Sequence, residues 1–271
     1  MERRKLLVLY NEVLPQQVLK DYVKYFWILE YDSVNHDILD FKTLPDGVPS
    51  IIFIDHQEHK IQSEYDITSP IYVYGQYSKF TNQRMKGSFR IIGVYLQPMS
   101  LKALFNIDAF ELYNCSLPLE DIVSQDVLEQ LGNANTTEDK IFILSEFIKK
   151  LILKTNYDCH KAHFIINSFK RGKSLQEVQN EMKISERSLE RFMKMHIGLS
   201  PKLFSRIIRF QNSLDTLRTN DKFTLTEIAY HNEYFDQAHY NKDFKCFVGC
   251  TPTTYLKISD EKLLNFPLMH L

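Results

Sequence analysis

Ser174-Leu175-Gln176-Glu177-Val178 and Thr224-Leu225-Thr226-Glu227-Ile228 decide how this chain is read, because one lies over the other at an offset of 50. Both are Ser/Thr-x-x-Glu capping boxes, in which the hydroxyl caps the third amide and the Glu returns to the cap. Further on the offset becomes 51: Ser185 pairs with Asp236, Leu189 with Tyr240, Arg191 with Lys242, Met193 with Phe244 and Lys194 with Lys245. Gly198-Leu199-Ser200-Pro201 then pairs with Gly249-Cys250-Thr251-Pro252, each a helix stop followed by a cap and a Pro at the first helical position. The pattern predicts one unit used twice: capped helix, short turn, second capped helix, Gly stop, Pro-started helix. The one-residue difference falls in the turn between the paired helices. A short helix, a turn and a second helix with basic residues on its outer side is the helix-turn-helix arrangement.

Between the units, residues 201–218 place Leu203, Phe204, Ile207, Ile208, Leu214 and Leu217 at helical spacing. A single helix here would hold the two units at a fixed separation. Major-groove faces of B-DNA recur about every 34 Å, so a stiff connector suits two helices entering adjacent turns.

The chain has 271 residues, with 33 Lys+Arg against 34 Asp+Glu and a formal charge of −1. That total hides an asymmetry. Residues 160–271 carry 17 basic and 12 acidic residues, a net of +5, while residues 1–159 carry 16 and 22, a net of −6. Opposite halves point to a polyanion-binding module on one side, although chance variation also produces such a split. The 44% apolar and 25% charged fractions exclude a largely disordered chain. No apolar run approaches the roughly 20 residues that span a bilayer. The start, Met1-Glu2-Arg3-Arg4-Lys5, lacks the features of a signal peptide. Four cysteines (Cys115, Cys159, Cys246, Cys250) make no disulfide framework, so a reduced, cytoplasmic protein without membrane contact is expected.

The first hundred residues read as strands: 25–29, 50–54, 70–74 and 89–96 are β-branched and aromatic runs, separated by Pro45-Asp46-Gly47 and Met85-Lys86-Gly87-Ser88. Their spacing favours a barrel or sandwich. From Ser100 the pattern turns helical. Ile141, Leu144, Ser145, Ile148, Leu151 and Ile152 define one side of an amphipathic helix, either the domain's packing helix or a partner face. Thr155-Asn156-Tyr157-Asp158 reads as a helix end and linker. The expected fold is α+β in two domains: a β-barrel or sandwich with a few helices at 1–156, an all-α domain at 157–258, and a tail at 259–271.

With these residues in view, the stretch from about 174 to 257 resembles the DNA-binding domain of the AraC/XylS family of bacterial transcription regulators. The resemblance runs through Ile184-Ser185-x-Arg187-x-Leu189-x-Arg191-x-Met193-Lys194, Ile228-Ala229-Tyr230, Asp236-Gln237-Ala238-His239-Tyr240, Lys242-x-Phe244-Lys245 and Gly249-Cys250-Thr251-Pro252-x-x-Tyr255. It implies about seven helices, with helix-turn-helix units at about 174–200 and 224–252 joined by a long helix. It also implies a cytoplasmic bacterial regulator that is not an enzyme and needs no cofactor or metal. Double-stranded promoter DNA is the implied partner, with a small effector, a second copy of the chain and RNA polymerase as further ones. The chain departs from the family pattern at Gln179, at Lys183 in place of Gly, and at Asn232-Glu233 in place of an apolar residue and Gly. A non-Gly residue at a positive-φ turn costs about 1 kcal/mol, so the departures bear on turn geometry rather than on the fold. More faintly, Leu44-Pro45-Asp46-Gly47, Val73-Tyr74-Gly75-Gln76 and Gly93-Val94-Tyr95-Leu96-Gln97-Pro98 resemble the β-rich sensor half of a subset of these regulators. Turn and strand roles explain the same residues. Trp27, Phe53, Tyr72, Tyr74 and Tyr95 either line a pocket or form plain core.

On the first recognition helix Leu189, Phe192 and Met193 form the apolar stripe, leaving Arg187, Glu190, Arg191 and Lys194 outward. Arg suits bidentate contact with guanine, which favours Arg187 as a base reader; solvation or a pair with Glu190 is the alternative. The family often uses the position of Arg191 structurally. On the second helix Tyr240 and Phe244 pack inward and Gln237, His239, Asn241 and Lys242 point out, Gln237 alternatively serving the helix N-terminus. Lys194 and Lys245 are expected on phosphates, and Ser188 and Ala238 complete the expected DNA-binding set.

Other constellations carry less. Cys246-x-x-x-Cys250 with His239 is a poor metal set, since Cys250 occupies the apolar slot of Leu199 in the repeat. His56-x-x-His59 lacks a third ligand. No phosphate loop, nucleophile elbow or paired-carboxylate motif occurs. Two other readings remain: a regulator governed by a protein partner through the 141–152 face, and a β-barrel enzyme with a helical accessory.

Overall fold

The computed structural model of the chain describes residues 7–32, 38–55, 62–63, 69–121, 126–220 and 222–258. The elements are, in chain order, β1 (Leu7–Val13), β2 (Val23–Asp32), β3 (Ile38–Thr43), β4 (Ser50–Asp55), β5 (Gln62–Ser63), β6 (Ile71–Tyr74), β7 (Thr81–Lys86), β8 (Phe89–Leu96), α1 (Ser100–Phe105), β9 (Ser116–Pro118), α2 (Asp126–Asn133), α3 (Thr137–Lys154), α4 (His160–Lys170), α5 (Leu175–Met182), α6 (Glu186–Ile197), α7 (Pro201–Thr219), α8 (Leu225–His231), α9 (Gln237–Val248) and α10 (Pro252–Ile258). The fold class is that expected, a β-rich N-terminal part and a helical C-terminal part. The pair His56 and His59 and the tail 259–271 lie outside the described residues.

The strands make a six-stranded sheet of order β1-β2-β8-β4-β6-β9 and a three-stranded sheet of order β3-β7-β5, with every pairing antiparallel. The central strands β2, β8 and β4 of the larger sheet are covered on both faces, which is why they read as continuous apolar runs rather than an alternation. Ile51, Phe53, Val73, Ile92 and Val94 face the helices, where Leu144 and Ile148 of α3 are fully buried. Trp27, Ile52, Ile91 and Tyr95 face the smaller sheet, with Phe41 and Met85 opposite. The 141–152 side of α3 is therefore a packing face, and the reading of it as a partner surface is corrected. Lys140 ties the helix down: its side chain is buried and its Nζ lies 2.6 Å from Asp55 Oδ1 on β4. Strands β1, β5 and β9 and the polar pair β3 and β7 were not among the expected ones; of these, β3 and β7 form most of the smaller sheet. Their inner residues alternate with solvent-facing Lys, Asp, Asn and Arg, so no apolar run marks them.

The helical part realises the repeat cap by cap. Ser174 and Thr224 each close a capping box with Glu177 and Glu227. These hydrogen bonds hold both glutamates below the usual carboxylate range. Ser185 and Asp236 accept from the Ser188 and His239 amides. Gly198 and Gly249 both end their helices left-handed, at φ +88° and +85°. The departures from the family pattern keep the turn geometry, because Lys183 and Glu233 adopt φ +51° and +60° despite their side chains. The offset of 50 persists through Ile184 and Tyr234, whose amides donate to Gln179 O and Ala229 O. It becomes 51 at the caps Ser185 and Asp236, so the inserted residue is Phe235.

The exposed Lys183 holds a conformation that disfavours any Cβ. Lys183→Gly should stabilise the chain by about 1 kcal/mol, a rise of about 2–4 °C in the thermal midpoint. Calorimetry checks this, and an unchanged midpoint would show that the turn carries no strain.

Candidate nucleic-acid interface

The chemistry of the two recognition helices follows from which arc each side chain occupies. On α6, Leu189, Met193 and Ile197 are fully buried against the helical core, and Phe192 is half-buried over His196. At 100° per residue that leaves Arg187, Arg191 and Lys194 on the outer arc; all three are exposed. On α9, Tyr240, Phe244 and Phe247 are buried, and the exposed outer arc is Ala238, Lys242 and Lys245. These triads are equivalent under the offset of 51. The repeat thus matches outer faces as well as caps.

Other expected residues are held back. Ser188 is half-buried and its Oγ sits 3.0 Å from the capping hydroxyl of Ser185. Glu190 lies 3.8 Å from Lys194 Nζ, so the intrahelical partner of Glu190 is Lys194 rather than Arg187. Gln237 Oε1 accepts from Thr226 Oγ1 at 2.7 Å, tying α9 to the first turn of α8. Two further residues expected to point outward are half-buried. His239 leans edge-on against the Tyr234 ring and lies 3.9 Å from Asp243, and Asn241 buries its Oδ1. From the middle of the outer arc His239 lies about 90° to one side and Asn241 about 65° to the other.

Sequence reasoning missed Phe235. The inserted residue stands just before the cap of α9 and is 85% exposed, with Tyr230 at 63% nearby. The change of offset from 50 to 51 was the available signal. Cys246 and Cys250 are half-buried against the helical core, and among the described residues no three metal-ligating side chains converge.

The connector α7 fixes the helices. Ser200 caps it, and Phe204, Ile207, Phe210, Leu214 and Leu217 are buried along its length. Arg206 Nη2 donates to Asp243 Oδ1 at 2.7 Å, and Asp243 is only 4% exposed. The N-terminal part touches both recognition helices at their C-terminal ends. A Cβ on Gly198 would meet Ala109 O at 2.8 Å, and one on Gly249 would meet the Phe80 ring at 2.6 Å, so both stops need Gly for contact as well as for φ. Lys42 Nζ donates to Val248 O at 2.9 Å, a cation at a helix C-terminus. From the linker, the Tyr157 hydroxyl pairs with His196 Nδ1 at 2.8 Å. Burial first, then Lys102, holds the His196 imidazole below its ordinary value. The N-terminal ends carrying Arg187 and Ala238 stay clear.

Comparison with known proteins agrees with this geometry. Residues 179–258 match a helix-turn-helix domain family, and residues 11–118 match a domain family of unknown function, DUF6597. No curated relative matches the chain. Among solved structures, ToxT from Vibrio cholerae O395 is similar at 16% identity and a TM-score of 0.45, over 86% of this chain and 97% of that one. A probable AraC family transcriptional regulator from Rhodopseudomonas palustris CGA009 is similar at 20% identity and a TM-score of 0.32, over 36% of this chain and 91% of that one. The C-terminal region is an AraC-type helix-turn-helix domain, as the sequence resemblance implied. This domain supports reading the chain as a DNA-binding regulator. No helix among the described residues is long and apolar enough to cross a membrane.

The Arg206–Asp243 pair makes a direct test of how α9 is held. Asp243→Ala should cost about 1–3 kcal/mol in urea unfolding, and Arg206→Ala should cost less in that background than alone. Additive losses would show that the pair does not anchor the helix.

Proposed function

We propose that the chain is a sequence-specific, double-stranded DNA-binding transcription regulator of the bacterial cytoplasm that acts as a homodimer at promoters, within reach of RNA polymerase. In this reading residues 157–258 bind the duplex, with α6 and α9 in adjacent major-groove turns, and residues 1–156 sense and dimerise. One observation carries it: Arg187, Arg191 and Lys194 recur as Ala238, Lys242 and Lys245 on two identically capped outer arcs. Arg187 reads a guanine, Ala238 packs on a thymine methyl, and Lys194 and Lys245 hold phosphates. Ser188, Glu190, Gln237, His239 and Asn241 shape the rim of the same surface, and the Phe235 ring reaches the groove edge beside α9.

Regulation by the N-terminal part is favoured by the loop at residues 44–48. Its Pro45 O accepts from Gln211 Nε2 of α7 at 2.7 Å, and Gly47 packs on Phe204 and Ile207. Leu44 belongs to the helical core itself. Any change in the loop is thereby passed to the helix that spaces the two reading heads.

Fluorescence-anisotropy titration on a selected binding site tests the reading. Arg187→Ala should relax preference at one base position by about 1–3 kcal/mol. Lys245→Ala should weaken all sequences alike and reduce the salt slope by about 1. If the two variants behave identically, the sorting of contacts is wrong; if the protein binds no duplex at low salt, so is the function.

A further inference from the structure

Between the two sheets of the N-terminal domain lies a cavity of about 50 Å³, in a measure where one water needs roughly 10–15 Å³. Its walls come from the larger sheet, from β3 and β7, and from the 44–48 loop. Aromatic rings dominate it. Tyr74 and Tyr77 stack at 4.0 Å, Tyr95 tilts against Trp27 at 5.9 Å, and Phe41 and Tyr72 complete the lining. Trp27 is pressed onto the strand behind it, since a Cβ on its partner Gly93 would meet the indole at 2.0 Å.

Among the described lining residues Asp46 is the one carboxylate, and none is Lys or Arg. Asp46 Oδ1 accepts the Val48 amide at 3.1 Å, and the Tyr95 hydroxyl faces the carboxylate. Lys24 attracts it from an exposed position, but no cation among the described residues lies within ion-pair distance. Asp46 is half-buried, and a carboxylate drawn out of water without a paired cation is costly. Aromatic faces attract cations through their quadrupoles, most strongly where water is excluded. An anionic ligand would be repelled by this carboxylate, with no Lys or Arg among the described lining residues to offset it.

We propose that this cavity binds a small organic cation of the quaternary-ammonium type, enclosed by Trp27, Tyr72, Tyr74, Tyr77 and Tyr95, with Asp46 as its counter-charge. The assignment rests on the sensor reading above and names the ligand class for it. The binding loop is also the one docked on α7. Asp46 lines the cavity while Pro45 and Gly47 hold the connector, so occupancy acts on the helix that spaces α6 and α9.

Burial pushes the Asp46 carboxyl up to about 6, against opposing effects of the Val48 amide, Lys24 and Tyr95. Burial also raises Tyr95 and Tyr25, the facing phenols, which stay neutral throughout this range. The carboxylate is present above pH 6 and lost below it, so cation binding should fall as pH drops through that value.

Calorimetric titration of the full chain with choline, alongside its uncharged isostere 3,3-dimethylbutanol and the anion decanoate, tests the proposal. Choline should bind at about pH 8 and at least tenfold more weakly at about pH 5, while the isostere and decanoate should not bind. Asp46→Asn should weaken choline binding at least tenfold while raising the thermal midpoint of the free protein at about pH 8, which shows that the variant folds. No choline binding, equal binding of the isostere, preference for decanoate, or unchanged choline affinity in Asp46→Asn would each overturn it. Duplex binding measured on the same preparation separates the two readings. Intact DNA binding without a choline response removes the ligand assignment alone, whereas lost DNA binding removes the regulator reading.

Discussion

Everything in this molecule that concerns DNA depends on one buried helix. α7 has 19 residues, about 28 Å at the usual rise, comparable with the spacing of successive major-groove faces. Its apolar positions Phe204, Ile207, Phe210, Leu214 and Leu217 are buried in the helical core. Arg206 reaches from it to Asp243 on α9, and Gln211 reaches to Pro45 in the N-terminal domain. A helix held at so many points acts as a spacer of fixed length. The two outer arcs it separates then bear a fixed relation, which a duplex either matches or does not.

The charge balance takes on meaning in that frame. A total of −1 conceals a basic helical half and an acidic β-rich half. The β-rich half grips the recognition helices at Gly198 and Gly249, while Arg187 and Ala238 sit at the opposite ends of those helices. Phosphates respond to the local field rather than to the sum over the chain. The acidic half is docked at the ends remote from Arg187 and Ala238.

Local signals carried the helical half. Hydroxyl caps, returning glutamates and Gly stops are short-range chemistry, and each one named in the sequence is found in place. The strands flanked by helices on one side and a sheet on the other were legible as unbroken apolar runs. β3 and β7 were not, because only alternate residues such as Phe41 and Met85 turn inward. Of the five aromatics considered for a pocket, four line the cavity. Phe53 does not, because it is one residue out of phase with Ile52 and the pleat turns it toward α3. Contacts such as Gln211 to Pro45, 166 residues apart, have no sequence signature at all. The inserted Phe235 was visible only as a change of offset, and its exposure needed the structure.

Hydroxyl-radical footprinting of the full chain on a selected binding site addresses the fixed spacing most directly. Two protected patches about 10 base pairs apart on one face of the duplex are predicted. Adding a single base pair between the half-sites should abolish tight binding, because it rotates one groove away from its helix. A single patch, or binding that survives the insertion unchanged, would contradict a rigid two-headed reader.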